Sequence, residues 1–221
     1  MRYEHDFLVL GAGNAGQAAA GFARSAGLRV AIVERDLVGG TCPNRGCVPK
    51  KALVAAAEVV DHVRRARGHG VRGDAAIDWS ELERHRRSIV DPIPARMEES
   101  LASRGITLVR EDARFVGKHT VAVGQDVHVA PKIVIATGST PRPLTMEGAE
   151  LLTLSDAALA LDEVPRTAVF VGAGVIAFEL SHVLVRAGCE RVVLLEVSER
   201  PLPAFDEDAV DALVRYGAEE L

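Results

Sequence analysis

The chain has 221 residues, 48% of them hydrophobic and 26% charged, which is the composition of a globular protein with room for one or two domains. Its net charge of −5 argues against a nucleic-acid partner. The N-terminal apolar run is too short for a signal peptide and no later run could span a bilayer, so the sequence predicts a cytoplasmic protein with no membrane partner.

The first predicted elements form a strand, helix and strand unit. A strand at 7–10 meets a glycine turn, a helix follows to about Ser25, and 29–33 reads as a second buried strand. The turn glycines would permit a tight bend, close approach of a pyrophosphate and close helix packing, and Glu34 would accept hydrogen bonds from ribose hydroxyls. This unit therefore predicts a dinucleotide site at Gly11, Gly13, Gly16 and Glu34.

The next stretch, GGTCPNRGCVPKKAL at 39–53, holds two of the three cysteines. A structural staple is disfavoured because three cysteines in a chain without secretory signals do not make a disulfide scaffold. A metal site is disfavoured because it needs further ligands and no histidine pair has metal-binding spacing, so none is predicted. A redox pair is favoured, because Pro49 suits the first turn of a helix and places Cys47 at a helix N-terminus that favours the thiolate.

Two helices are predicted next, at about 51–67 and about 79–104. The segment from Ile106 to Ala130 then alternates apolar and polar residues between glycine turns, which predicts an antiparallel meander. The continuously apolar run 132–136 predicts a strand buried on both faces. The residues STPRP read as a linker, which places a domain boundary between Pro141 and Leu151.

The remainder of the chain repeats the opening unit. It has a strand, a turn with Gly172, Gly174 and Ala177, a helix, and a strand that ends at Glu196. A carboxylate at Glu196 would bind a free 2'-hydroxyl and repel a 2'-phosphate, which favours NAD(H) over NADP(H), although the nearby Arg200 would weaken that preference. The predicted fold is α/β, with two Rossmann-like dinucleotide-binding units, parallel sheets and an antiparallel meander.

The double-cysteine motif after a Gly-x-Gly-x-x-Gly turn resembles the flavoprotein disulfide reductases, the pyridine nucleotide-disulfide oxidoreductase family. The resemblance runs in order through the cysteine motif, the ATG segment and the second turn. It implies an N-terminal portion of such an enzyme, with an incomplete FAD-binding domain at 1–145 that holds the redox cysteines and an incomplete NAD(P)-binding domain at 151–221. It also implies a homodimer for a full-length enzyme. The C-terminal interface domain of the family, with its acid-base histidine, has no counterpart in the sequence.

The resemblance also implies roles for single residues. Cys42 would exchange with a small disulfide or dithiol substrate, and Cys47 would lie next to the flavin and form a charge-transfer pair with it. Lys51 would lie near the flavin N5 and pair with Glu179, which keeps a positive charge beside a ring that becomes anionic on reduction. The further positions that the resemblance gives to cofactor binding are Ala15, Gly40, Thr41, Ala136, Thr137 and Gly138. Lysine at position 50, where serine or threonine is commoner, resembles glutathione and trypanothione reductases.

These features predict an FAD-dependent NAD(P)H:disulfide oxidoreductase of dihydrolipoamide dehydrogenase or glutathione reductase type. Two alternatives stay open at this point. One is a mercuric reductase-like enzyme, which would normally need a further cysteine pair near its C-terminus. The other is a non-catalytic nucleotide-binding or redox-sensing fragment.

Overall fold

The computed structural model describes residues 4–220 of the chain. In chain order its elements are β1 (Phe7–Leu10), α1 (Asn14–Ser25), β2 (Val30–Val33), α2 (Thr41–Arg45), α3 (Cys47–Ala66), α4 (Trp79–Val90), α5 (Ile93–Ser103), β3 (Thr107–Val109), β4 (Ala113–Gly117), β5 (Thr120–Val123), β6 (Asp126–Val129), β7 (Lys132–Ile135), a 3-10 turn (Ala149–Leu151), α6 (Ser155–Ala158), β8 (Thr167–Val171), α7 (Val175–Arg186), β9 (Arg191–Leu195) and α8 (Glu207–Glu220). No helix among these residues is long and apolar enough to cross a membrane.

The chain divides into two compact units, and the division is not a single cut. The first unit comprises 1–48 and 88–154, and the second comprises 49–87 and 155–221. The second break lies close to the predicted linker, but the sequence assigned 49–87 to the first domain. Those residues join the second unit because Leu53 and Trp79 are buried in one apolar cluster with Leu180 and Val183.

The core of the first unit is a parallel sheet in the order β3, β2, β1, β7. Alternate residues of its central strands face opposite sides, as the two-residue period of a strand requires. Val9 and Ile32 pack with Leu101 and Ile106 on one face, whereas Leu8 and the other alternate residues pack under the meander on the opposite face. The sheet is thus covered on both faces.

Three sequence predictions for elements between residues 79 and 136 are wrong in detail. The predicted helix at 79–104 is two helices, α4 and α5, because Pro92 and Pro94 remove backbone donors and restrict the residues before them. Residues 107–109 pair in parallel with β2 and do not join the meander, which is confined to β4, β5 and β6. Strand β7 lies at the sheet edge, and Ile135 is 67% exposed there.

The second unit contains the repeated strand, helix and strand. β8 and β9 pair in parallel over five residues each, with α7 connecting them. Helices α3 and α7 share the buried apolar cluster of this unit, through Leu53 and Ala57 on α3 and Leu180 and Val183 on α7. The predicted α/β class with a duplicated unit and an antiparallel meander is confirmed.

Candidate functional site: two glycine turns and a cysteine loop

The first glycine turn is fixed by close backbone packing. Gly11 has φ +102°, and a Cβ there would lie 2.3 Å from the carbonyl oxygen of Ala136. A Cβ on Gly16 would lie 1.9 Å from the carbonyl oxygen of Gly11, closer than any real contact. The turn therefore requires glycine at both positions, for the reasons that the sequence pattern predicts.

A carboxylate is held at the mouth of this turn. The amide of Ala12 donates to Glu34 Oε2 over 2.7 Å, and the amide of Asp36 donates to Oε1 over 2.9 Å. These two bonds fix the orientation of the carboxylate at the end of β2. A carboxylate offers about four acceptor positions, so two remain for a ribose. Binding of ribose hydroxyls by Glu34 stays a prediction.

The cysteine loop lies directly against the first glycine turn. The amide of Gly39 donates to the carbonyl oxygen of Ala12 over 2.9 Å, and Gly13 and Gly39 form a parallel bridge. A Cβ on Gly40 would come within 2.8 Å of Gly13 Cα, and Gly40 has φ +67°. The fold thus brings together the two motifs that the sequence separates by more than twenty residues.

Short-range contacts hold the cysteine loop in shape. The side chain of Asn44 is buried and donates from Nδ2 to the carbonyl oxygen of Val38 over 3.0 Å, and Arg45 forms an ion pair with Asp36. Asn44 was not predicted as a site residue, because an asparagine between two cysteines carries no specific signal in the sequence. These bonds fix the chain on both sides of Cys42.

The two loop cysteines differ in exposure. Cys42 lies in α2 and is a half-buried free thiol, so the predicted disulfide to Cys47 is open in this structure. Cys47 is exposed and is the first residue of α3, as the position of Pro49 predicts. A redox pair alternates between open and closed forms, so the disulfide stays a prediction.

The predicted ATG segment passes over the first turn. The amide of Ala136 donates to the carbonyl oxygen of Leu10 over 2.8 Å, which extends the pairing of β7 with β1. The backbone of Ala136 and Thr137 then lies against Gly11, and Gly138 bends away with φ +77°. This segment and the cysteine loop therefore contact the same turn.

The second glycine turn repeats the geometry of the first. Gly172 has φ +101°, and its amide donates to the carbonyl oxygen of Leu195 just as that of Gly11 donates to Val33. The amide of Ala173 donates to Glu196 Oε2 over 2.9 Å, which matches the bond of Ala12 to Glu34. The duplication read from the sequence thus extends to the carboxylate contact.

The acidic residue of the second turn is held ionised. The amides of Ser198 and Ala173 donate to Glu196 and keep the pKa of its carboxyl below the ordinary value. Arg200, which the sequence analysis set against a preference for NAD(H), donates from Nη2 to the carbonyl oxygens of Pro203 and Phe205. The guanidinium is therefore bound within its own loop.

The predicted pair of Lys51 with Glu179 is not formed. Glu179 on α7 is instead hydrogen bonded and ion paired with Lys50 on α3, and Lys51 is exposed. Neighbouring residues on a helix do not share a face, so only one of the two lysines can meet α7. Both lysines lie in α3, and the rotation of α3 about its axis places Lys50, not Lys51, next to Glu179.

The residues present fit the dinucleotide cofactors that the sequence predicts. In both turns a bare glycine backbone leads into a helix N-terminus whose amides and dipole favour phosphate. Ala15 is exposed at the start of α1, and among the described residues no atom lies within 4 Å of a Cβ position at Gly174. In the second turn Ala177 stands at the position that Gly16 has in the first turn, and its methyl group is buried.

Comparison with known proteins agrees with this arrangement. The sequence profile of the family described as pyridine nucleotide-disulphide oxidoreductase matches residues 5–219. A match over nearly the whole chain shows that the chain belongs to the pyridine nucleotide-disulphide oxidoreductase family.

Several curated relatives are dihydrolipoyl dehydrogenases by name. The chain is 34% identical to the dihydrolipoyl dehydrogenase of Mycoplasma pneumoniae, over 96% of this chain and 48% of that protein. It is 36% identical to dihydrolipoyl dehydrogenase 2 of Haloarcula marismortui, over 98% of this chain and 47% of that protein. It is 32% identical to a dihydrolipoyl dehydrogenase of Bacillus subtilis, over 90% of this chain and 45% of that protein. The chain thus spans about half the length of the curated relatives it matches.

Proposed function

We propose that this chain carries the flavin, cysteine and nicotinamide sites of an FAD-dependent NAD(P)H:disulfide oxidoreductase of the dihydrolipoyl dehydrogenase type. One observation supports this above the others: the cysteine loop is hydrogen bonded to the first glycine turn, through the amide of Gly39 and the carbonyl of Ala12. A dinucleotide bound at that turn would lie beside a cysteine pair. The names of the relatives favour the dihydrolipoyl type over the glutathione reductase type.

The residues take the following parts in the proposed reaction. FAD, when bound, relays two electrons between the nicotinamide and the cysteine pair. The Cys42 thiolate attacks one sulfur of a small disulfide, forming a mixed disulfide and releasing the first substrate thiol. Cys47 then attacks Cys42 Sγ, which releases the second thiol and closes the Cys42–Cys47 disulfide. Oxidation of a dithiol runs the same steps in reverse.

The pair of Lys50 and Glu179 is proposed to take the part that the resemblance gave to Lys51. The Lys50 side chain is only 20% exposed and its ammonium is bound to the Glu179 carboxylate, so a positive charge is held in place. A fixed positive charge stabilises an adjacent group that gains negative charge on reduction. Lys51, which is exposed, is not proposed for this part. A homodimer is proposed from the resemblance alone, and the cytoplasmic location expected from the sequence stays a proposal.

Flavin binding tests the proposal directly. The purified chain, incubated with FAD and gel filtered, should retain flavin and be yellow. Two-electron reduction should produce a long-wavelength charge-transfer band in the wild type, because it opens the disulfide and frees the Cys47 thiolate beside an oxidised flavin. Cys42→Ser should show the band before any reduction, because its Cys47 cannot form that disulfide. The band should be missing in Cys47→Ser. A chain that does not retain FAD, or a band unchanged in Cys47→Ser, would contradict the proposed roles.

The preference for NADH is tested at Glu196. Glu196→Gln keeps the shape of the side chain and removes its charge, so the ratio of NADPH to NADH dissociation constants should fall by about tenfold. A tenfold loss corresponds to about 1.4 kcal/mol, which is close to the lower end of the range of about 1.5–3 kcal/mol for one hydrogen bond to a charged group. Nicotinamide fluorescence measures both constants. Glu199→Gln, which changes an exposed carboxylate nearby, should leave the ratio unchanged. A ratio equally unaffected by Glu196→Gln would refute the assignment.

A further inference from the structure

A second cluster of ligating side chains lies in the first unit. It consists of Glu4 and His5, just before β1, and His128 in the outer strand of the meander, β6. One side-chain donor atom from each residue lies within 4.8 Å of the others. None of the three belongs to a glycine turn or to the cysteine loop. The fold therefore brings together groups that are more than 120 residues apart in the sequence.

One polar atom of the cluster has no hydrogen-bond partner within residues 4–220. His128 Nδ1 is buried and has no hydrogen bond among the described residues. Its nearest acidic group, Glu4 Oε2, is 3.8 Å away, which is too far for a hydrogen bond. A buried nitrogen without a partner costs about 1–3 kcal/mol. His5 is 8% exposed and the His128 side chain 12% exposed, so bulk water does not supply the missing contact freely.

The chemistry of the donors indicates the kind of ligand. Two imidazole nitrogens and one carboxylate oxygen form a set that suits zinc and similar first-row ions, whereas calcium and magnesium prefer oxygen ligands. The two imidazole rings lie 5.8 Å apart between centroids and are inclined by 18°. Zinc bonds of about 2.0–2.2 Å hold neighbouring ligand atoms about 3.4 Å apart in a tetrahedron. Because the donor atoms lie within 4.8 Å of one another, binding requires a rotation of the rings and a closing movement of up to about 1.4 Å.

Glu4 can take part in that movement. Its side chain is 68% exposed, so it is free to turn toward the two histidines, and it leaves a route for an ion to enter from solvent. Three protein ligands leave a fourth position for water. We propose that Glu4, His5 and His128 form a zinc-binding site that links the segment before β1 to the meander.

Binding of zinc itself is the test, and the thiols must be removed first. In a chain with Cys42→Ser and Cys47→Ser, equilibrium dialysis with Zn²⁺ should give one ion per chain. Cys189 is buried and can stay. Glu4→Gln should weaken binding at least about tenfold, since loss of even an outer-shell partner costs about 10–100-fold. His128→Gln should abolish binding, and His69→Gln, an exposed histidine elsewhere, should have no effect.

Thermal unfolding gives a second measurement on the same proteins. An ion that binds only the folded chain raises its midpoint in proportion to the logarithm of its concentration. Saturating Zn²⁺ should raise the midpoint temperature of thermal unfolding of the double cysteine variant. The increase should be smaller when Glu4→Gln is added, and this substitution changes an exposed side chain and leaves the fold intact. Absence of bound zinc, or equal affinity for zinc in Glu4→Gln and His69→Gln, would refute the proposed zinc site.

Discussion

A Cys42→Ser chain loaded with FAD is expected to lose reduction of lipoamide by NADH, while NADH still bleaches its flavin. The physical reason is that only a thiolate attacks a disulfide at a useful rate, and serine cannot form the mixed disulfide. Cys42 lies outside the two glycine turns that are proposed to bind the flavin and the nicotinamide, so reduction of the flavin should proceed. Stopped-flow absorbance measures flavin bleaching, and consumption of NADH with lipoamide measures turnover.

Two variants serve as controls for that experiment. Cys189→Ser changes the third cysteine, whose Sγ lies 3.4 Å from the carbonyl oxygen of Arg191, and a hydroxyl can make the same contact. It should therefore keep wild-type turnover. Cys47→Ser should lose turnover as well, because the mixed disulfide on Cys42 could not be resolved. Turnover retained in Cys42→Ser would refute its role, and a wild-type chain that binds FAD but never reduces lipoamide would favour the non-catalytic alternative.

The exposure of the two thiols makes this experiment informative. Cys47 is the more exposed thiol in the structure and Cys42 is half-buried. If access alone decided reactivity, Cys47 would meet the substrate, which is the reverse of the roles that the family resemblance implies. Reaction of the reduced chain with a small disulfide, measured with and without FAD, separates these possibilities. Protection of Cys47 by FAD, with Cys42 still reactive, would support the proposed order of thiols.

The local features of the site could be predicted from the sequence, because each depends on neighbours along the chain. The strand before Gly11, the helix after it and the carboxylate at Glu34 are all set within one unit, and the structure has each of them. The start of α3 at Cys47 followed from Pro49 in the same way. The breaks at Pro92 and Pro94 were available to the same reasoning and were missed.

Other features depend on contacts between distant segments, which a local pattern does not contain. The choice of Lys50 over Lys51 as partner of Glu179 depends on how α3 packs against α7. The meeting of His5 with His128 depends on the position of the meander over the sheet, so a search for metal-ligand spacing could not find it. The edge position of β7 likewise depends on strand order, because a continuous apolar run does not show how many neighbours a strand has.

The first glycine turn allows its two functions, packing and cofactor binding, to be separated by mutation. Gly16→Ala should lower the free energy of unfolding by about 1–3 kcal/mol, the usual cost of overpacking. Its Cβ would lie 1.9 Å from the Gly11 carbonyl oxygen and 3.2 Å from Val9 Cγ1, so α1 must move away from β1. Because that movement displaces the helix N-terminus, FAD retention should be lost as well. Urea unfolding followed by far-UV circular dichroism measures the first effect.

Gly13→Ala is the matched control in the same turn. Its Cβ would meet Gly40 Cα at 3.8 Å and the Gly39 carbonyl oxygen at 4.0 Å, which are ordinary contacts, and its φ of −75° suits any residue. The free energy of unfolding should therefore stay within about 0.5 kcal/mol of the wild type. FAD retention should still fall sharply, because the added methyl stands where the backbone is proposed to approach the pyrophosphate. Unchanged FAD binding in Gly13→Ala would show that this turn is a packing feature and not a cofactor site.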